Sequence, residues 1–395
     1  MDAGIRTGSQ RGLRHLGVSL TLAARTTILG RVAYRRRRYE GGLFLGGGNS
    51  LVHKMRAVRK LGPGPGAQLV EVEVPRVGPH DILVQVTATS ICGTDYHIFR
   101  WDPWSEGRVK TPLTLGHEFS GRVVEMGPEV HHLRTGDHVS AETHVTCGRC
   151  LACLTGQAHV CQETRILGVD RDGAFAEFVA IPAANAWVND PDLAPELASI
   201  QEPLGNAVHT ALAQPLVARS VLIMGCGPIG LMAVAVARQA GAQVVIAVDI
   251  SAYRLRLARE LGASEAIDAT KGDPVARVRE LTRGSGVDVL LEMSGHPTGI
   301  SQGLRALRPG GEASLLGLPS APFRVDWGNE IVLKGLTLRG ITGRRIFETW
   351  HQVRALLRAG LELSPLITHR LPLERFAEGM NLIASGRCGK VILYP

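Results

Sequence analysis

The 395-residue chain is 45% hydrophobic and 20% charged, which is ordinary for a soluble globular protein of about two domains. No run of about 18 apolar residues occurs, which excludes a bilayer-spanning helix. The net charge of +8 invites a nucleic-acid reading, but residues 1–54 hold ten Lys/Arg and two Asp/Glu, so residues 55–395 hold 34 of each and are neutral.

The basicity therefore belongs to the leader, which contains Arg35-Arg36-Arg37-Arg38 and Gly46-Gly47-Gly48 and precedes Met55-Arg56-Ala57. Residues 1–54 are expected to stand outside the fold, as a disordered leader or the product of a misplaced start. An Arg-rich, acid-poor transit peptide and a nucleic-acid or membrane arm are the competing readings. For the remainder, neither nucleic acid nor membrane is an expected partner.

After Met55 the first half reads as short strands. Residues 68–74, 82–88, 120–125 and 138–140 alternate apolar and polar side chains between Pro/Gly punctuation. Two sets of metal ligands fall in this half. One is mixed: Cys92 in Cys92-Gly93-Thr94-Asp95-Tyr96-His97, with Gly116-His117-Glu118 after it. A catalytic zinc keeps one position free, and a thiolate, an imidazole and a carboxylate permit that.

The other set is Cys147, Cys150, Cys153 and Cys161, four thiolates at spacings that close a tetrahedron and leave no room for substrate. An iron–sulfur cluster also takes four thiolates, but the ferredoxin run has a shorter last gap and a Pro where Gln162 stands. Of the seven cysteines only Cys226 and Cys388 remain unassigned, so reduced thiols fit better than disulfides. Each residue alone has a plainer explanation. Cys92 could be a small buried hydrophobe, His117 a hydrogen-bonded structural histidine, Glu118 and Glu202 solvated carboxylates. Glu202, however, sits in apolar surroundings, Ala198-Ser199-Ile200 before and Pro203-Leu204 after, and a buried carboxylate needs a partner such as a metal or its water.

From about Gly205 the pattern becomes strand, turn and helix in alternation: strands at 220–224, 244–249, 287–292 and 313–316, helices at 229–240 and 252–261. Such alternation implies a doubly wound parallel sheet. The turn after the first strand is Gly225-Cys226-Gly227-Pro228-Ile229-Gly230. Its first glycine allows a tight turn, its second lets backbone approach a pyrophosphate, and its third permits close helix–strand packing. Asp249 ends the next strand, where an acidic side chain accepts from ribose hydroxyls and repels a 2′-phosphate, favouring NAD over NADP. Arg254 could serve a 2′-phosphate or lie over the adenine. A helix at 347–359 and a strand at 389–393 end the chain, and periodicity does not say to which half they belong.

These motifs resemble the zinc-dependent medium-chain alcohol dehydrogenases over essentially all of residues 55–395. Gly116-His117-Glu118, the four-Cys lobe and the glycine-rich turn with Asp249 carry the general resemblance. Ser90-Ile91-Cys92-Gly93-Thr94-Asp95 with His97 and Trp101-Asp102, Ile166-Leu167-Gly168-Val169-Asp170, Glu202 through Thr210, and Phe347-Glu348-Thr349-Trp350 look like the L-threonine 3-dehydrogenase branch in particular.

The resemblance implies an α/β fold with a GroES-like, mostly-β catalytic domain over 55–203 and 343–395, carrying the structural-zinc lobe. A Rossmann NAD-binding domain would span 204–342. It implies NAD-dependent oxidation of the L-threonine 3-hydroxyl to 2-amino-3-oxobutanoate, two zinc ions per chain, and a cytoplasmic homotetramer. Cys92, His117 and Glu118 would hold the catalytic ion, with Glu202 nearby as relay or exchangeable ligand. Thr94 and His97 would carry the proton, since an imidazole titrates in the useful range. Ile229, Asp249, Arg254, Leu316-Gly317-Leu318 and Ile341-Thr342 would line the cofactor, although ordinary strand-end packing explains each taken alone. Thr342 stands where some members have an aromatic. His144 would reach the substrate pocket or be a structural histidine.

Two other readings are a polyol or secondary-alcohol dehydrogenase on the same scaffold, and a zinc protein whose basic leader binds nucleic acid. The neutral charge of 55–395 speaks against the second.

Overall fold

Val221, Leu222, Ile223 and Met224 form an unbroken apolar run, each 0 to 3% exposed, as a strand covered on both faces requires. Burying each such side chain contributes roughly 1.5–3 kcal/mol. In the computed structural model, which describes residues 54–395, this run is a central strand of a six-stranded sheet. In spatial order the strands are Glu265–Asp268, Val244–Asp249, Ser220–Met224, Val287–Glu292, Leu307–Leu315 and Thr337–Gly340, all parallel. Counted along the chain the order is 3-2-1-4-5-6, so the strand order reverses between Ser220–Met224 and Val287–Glu292. That crevice is where doubly wound sheets bind dinucleotides.

The first half is β-rich, as expected. Lys54–Lys60 pairs antiparallel with Gln68–Glu73 and with Leu113–Thr114. A seven-stranded sheet runs Ala186–Val188, His138–Ala141, Glu118–Met126, Asp81–Ser90, Lys390–Tyr394 and Ile367–Pro372, with Phe178–Pro182 also on Asp81–Ser90. The C-terminal strand, whose partner periodicity left open, thus lies in the sheet of the first half, with Ile392 opposite Ser90. A shared core joins the halves: Ile200, just before the helix Gln201–Ala211, and Leu204 within it pack in one cluster with Val221, Ile223, Val353 and Ile392.

The expected leader lies outside the described residues except for Lys54, which opens the first strand. Among the described residues, no helix is long and apolar enough to cross a membrane.

Candidate active site

The mixed ligand set is assembled by a strand register. Ser90 pairs with Glu118 across the antiparallel ladder, so Cys92, two residues past Ser90, is brought to His117 and Glu118. Cys92 also caps the helix α1 (Gly93–Arg100): its backbone N–H donates to Asp95 Oδ2 at 2.8 Å, holding the thiol at the helix entrance. One ligand atom from each of Cys92, His117 and Glu118 falls within 4.8 Å of the others.

Two buried atoms in this cluster, His117 Nδ1 and Glu118 Oε1, have no hydrogen-bond partner among the described residues. The nearest carboxylate to that nitrogen is Asp95, at 3.6 Å. A buried polar atom without a partner is costly, and a divalent cation among thiolate, imidazole and carboxylate removes that cost. The donor set therefore fits zinc. Burial pushes the His117 imidazole down, but Asp95 and Cys92 outweigh it and hold its pKa well above the ordinary value.

The second oxygen of Glu118 accepts from Ser90 Oγ and from Lys390 Nζ. Lys390 is 2% exposed and also donates to Ile91 O at 3.0 Å. Burial lowers its pKa, but Glu118 and Cys92 raise it by more, so it remains a cation. Nothing in Gly389-Lys390-Val391 signals this role, because a lysine opening a strand is commonplace.

Thr94 and His97 both stand on α1. Thr94 Oγ1 is 3.8 Å from Cys92 Sγ. His97 lies farther along at the rim, its side chain 57% exposed, with Nδ1 only 2.5 Å from Asp102 Oδ2. Asp102 caps the short helix α2 (Pro103–Arg108).

Glu202 has a partner that the sequence did not reveal. Arg344, fully buried, donates from Nη1 to Glu202 Oε1 at 2.5 Å and from Nε to Glu142 Oε2 at 2.8 Å, and Nη2 also reaches Glu142. Thr143 Oγ1 donates to Glu202 at 3.1 Å, and Trp350 Nε1 to Glu142 at 2.9 Å. Burial pushes the Glu142 carboxyl up, yet Arg344 and His144 overcome it and bring it down to about 2. Glu202 is thus held as an ion pair, and it is not one of the three residues whose ligand atoms cluster. His144 Nδ1 lies 3.2 Å from Arg344 Nη2 and 3.3 Å from Glu142, which makes it part of this network.

In the cysteine lobe, the four Sγ atoms also lie within 4.8 Å of one another. Cys150 and Cys153 are 3.5 Å apart, as are Cys147 and Cys161. Zinc–sulfur bonds of about 2.3 Å at tetrahedral corners place sulfurs about 3.8 Å apart, so the geometry fits a closed zinc site. The backbone N–H groups of Cys150 and Glu163 point at Cys147 and Cys161 sulfurs at 3.4 Å, favouring thiolate. Backbone N–H groups of Cys153 and Gln162 bring the Cys150 thiol down to about 6.

The glycine-rich turn leads from Ser220–Met224 into the helix Pro228–Gln239. Gly225 has φ +92°, in the left-handed region. A Cβ on Gly230 would meet Gly225 O at 2.0 Å, whereas nothing lies within 4 Å of one on Gly227, so this middle position is open to a phosphate. Asp249 Oδ2 accepts from Cys226 N at 2.7 Å and Oδ1 from Ser251 N at 2.8 Å, tying the turn to the next strand end. Burial pushes the Cys226 thiol up, helped by Asp249, so this cysteine is inert.

Around the same crevice, Ile229 is half-buried and Arg254 keeps its Nε buried without a hydrogen bond among the described residues. Leu316 and Gly317 N–H groups both donate to Glu292 O, at 3.0 and 3.1 Å. Leu318 is 90% exposed, Ile341 is buried and bonded to Leu315 O, and Thr342 is exposed.

Comparison with known proteins agrees with this geometry. The alcohol dehydrogenase GroES-like domain family matches residues 78–191 and the zinc-binding dehydrogenase family residues 228–359. An L-threonine 3-dehydrogenase of Symbiobacterium thermophilum is 60% identical over 347 residues, 87% of this chain and 99% of that one. The Bacillus velezensis L-threonine 3-dehydrogenase is 54% identical over 344 residues, with 87% and 99% covered. Among solved structures, a zinc-binding dehydrogenase from Sinorhizobium meliloti bound to NADP superposes with a TM-score of 0.81 at 32% identity, covering 87% of this chain and 100% of that one. Ligand clusters, sheet order and these likenesses converge: the chain belongs to the zinc-dependent medium-chain alcohol dehydrogenases.

Proposed function

We propose that this chain is an L-threonine 3-dehydrogenase that transfers hydride from C3 of L-threonine to NAD, giving 2-amino-3-oxobutanoate. The observation that carries the substrate assignment is the 60% identity, over 99% of its length, to a relative of that name. With the cofactors bound, zinc would supply the Lewis acidity that eases ionisation of the hydroxyl, and the nicotinamide would accept the hydride.

The chain's own residues would divide the remaining work. Cys92, His117 and Glu118 hold the catalytic ion, and Cys147, Cys150, Cys153 and Cys161 the structural one. Thr94, beside Cys92, receives the hydroxyl proton, and His97 at the rim passes it to solvent. Glu202, anchored by Arg344, presents a fixed negative charge to the substrate pocket. Gly225, Gly227 and Gly230 make the phosphate cradle, Asp249 and Arg254 face the ribose and adenine, and Ile229, Leu316, Gly317, Leu318, Ile341 and Thr342 line the rest.

The domain limits we favour are 55–203 with 343–395, and 204–342. The same reading makes the protein a cytoplasmic homotetramer. The test is NADH formation by the purified, zinc-loaded full chain with L-threonine, sorbitol and 2,3-butanediol, each with NAD and NADP. Threonine with NAD should be fastest by a wide margin, and turnover confined to the polyols would move the substrate to that class.

A further inference from the structure

His97 ends its relay at a carboxylate. Helix α1 stops at Trp101, whose φ of 59° turns the chain, and the N–H groups of Trp101 and Asp102 both point back at His97 O, at 3.0 and 3.4 Å. The corner is braced by the buried Lys60, whose ammonium lies 4.9 Å from the centroid of the Trp101 ring and donates to Gly66 O. This fold-back brings the Asp102 carboxylate to the Nδ1 edge of the His97 ring.

The two oxygens of Asp102 have separate partners. Oδ1 accepts from Ser105 N and Ser105 Oγ, both at 3.0 Å, which fixes the carboxylate as the cap of α2. Oδ2 lies 2.5 Å from His97 Nδ1. Burial pushes the Asp102 carboxyl up, but the Ser105 N–H and His97 together bring it below its ordinary value. Trp104 stands edge-on to the imidazole, with centroids 6.4 Å apart.

Other charges near this corner are engaged elsewhere or exposed. Asp95 binds Cys92 N, Arg100 lies over Tyr96, Arg108 pairs with Asp170, and Glu378, on the helix packed against α1, with Arg375. Glu106 and Lys110 are exposed.

We propose that Asp102 is the positioning residue of the proton relay, holding His97 in the tautomer protonated at Nδ1 so that Nε2 is the atom that takes up the alcohol proton. This rests on the dehydrogenase reading above. The proton leaves the substrate hydroxyl by way of Thr94 Oγ1, enters at Nε2 to give an imidazolium, and departs to solvent from the exposed ring. Asp102 forms no bond to substrate and keeps no proton. A carboxylate that orients an imidazole and stabilises its cation acts in this way in other proton relays.

Asp102→Asn separates this role from a structural one. Asparagine caps helices as well as aspartate does, so Ser105 N keeps its acceptor and thermal stability should not change. The amide then turns its NH2 toward Nδ1, which must accept, and the ring proton moves to Nε2. We expect kcat to fall roughly 10- to 100-fold with KM for alcohol and NAD unchanged. In a His97→Asn background, Asp102→Asn should cost nothing further. In 15N-histidine spectra, with the His97 signals identified by their loss in His97→Asn, protonation should switch from Nδ1 to Nε2.

An unaltered kcat in Asp102→Asn, alongside slowing by His97→Asn, would overturn the proposal. So would multiplicative losses in the double variant. If the wild type oxidised no alcohol, the functional reading would fall. The 15N spectra would still decide the positioning role, and an unchanged tautomer would refute it.

Discussion

Arg344 Nη1 and Glu202 Oε1 meet at 2.5 Å, out of contact with solvent on the arginine side, and the same guanidinium spans to Glu142. Truncating the arginine therefore strands two buried carboxylates. Arg344→Met should destabilise the protein by about 3–5 kcal/mol, the usual cost of leaving a buried charge unpaired. Arg344→Lys should recover little, because one ammonium cannot reproduce the fork that reaches both carboxylates. Denaturation midpoints of the three proteins test this, and Arg344→Met unfolding at the wild-type midpoint would remove the network from the stability account.

Acid should expose the same network. Glu142 titrates at about 2 in the folded protein against about 4.3 unfolded. A depressed folded value means the stabilisation is complete above about 4.3 and is lost as pH falls toward 2. The stability difference between wild type and Arg344→Met should be widest above pH ~5 and should shrink on acidification toward that lower value. A gap that stayed constant down to pH ~2 would contradict the assignment.

Removing one metal should leave the other. Cys92→Ser should abolish the catalytic zinc and nearly all turnover while the circular dichroism spectrum is preserved. Cys150→Ser should lose the structural zinc and lower the melting temperature, since such sites contribute folding energy. Metal content per chain, measured for each variant, checks both, and full zinc occupancy in either would withdraw that residue as a ligand.

Zinc uptake by the mixed site should release protons at neutral pH, because thiol and imidazole ligands bind a metal only in their deprotonated forms. Calorimetric titration of chelator-stripped Cys150→Ser in buffers of different ionisation enthalpy measures the number released. Affinity should weaken as pH falls, and a pH-independent affinity would show that neither Cys92 nor His117 binds.

The cofactor preference should move with Asp249. Asp249→Asn keeps an acceptor for the Cys226 and Ser251 N–H groups but removes the charge that repels a 2′-phosphate. The ratio of kcat/KM with NAD to that with NADP should narrow about tenfold, equivalent to about 1.4 kcal/mol. An unchanged ratio would point to Arg254 or the loop geometry instead.

The parts of this site that were legible in the sequence are those written locally. Four cysteines within 15 positions, and three glycines within six, specify a lobe and a turn whose geometry depends on neighbours in the chain. Four of the six parallel strands were legible from the alternation of strand, turn and helix, whereas Glu265–Asp268 and Thr337–Gly340, short and mixed in polarity, were not. Glu202 could be singled out by its apolar surroundings, but its partner could not, because Arg344 lies 142 positions away next to Arg345, in a segment that reads like any charged loop. The relay pair fell between these cases: Asp102 is five positions from His97, but only the turn at Trp101 brings the two together.

Lys390 adds a consequence for how the protein is made. A chain growing from its N-terminus has Glu118 in place 272 residues before its counter-ion emerges, an interval on the order of tens of seconds. Until then the thiol, imidazole and carboxylate of the mixed site exist on the nascent polypeptide, but the strand that neutralises Glu118 does not. The metal centre is therefore finished late in synthesis, and a message cut short before codon 390 would yield a product with every ligand and no complete site.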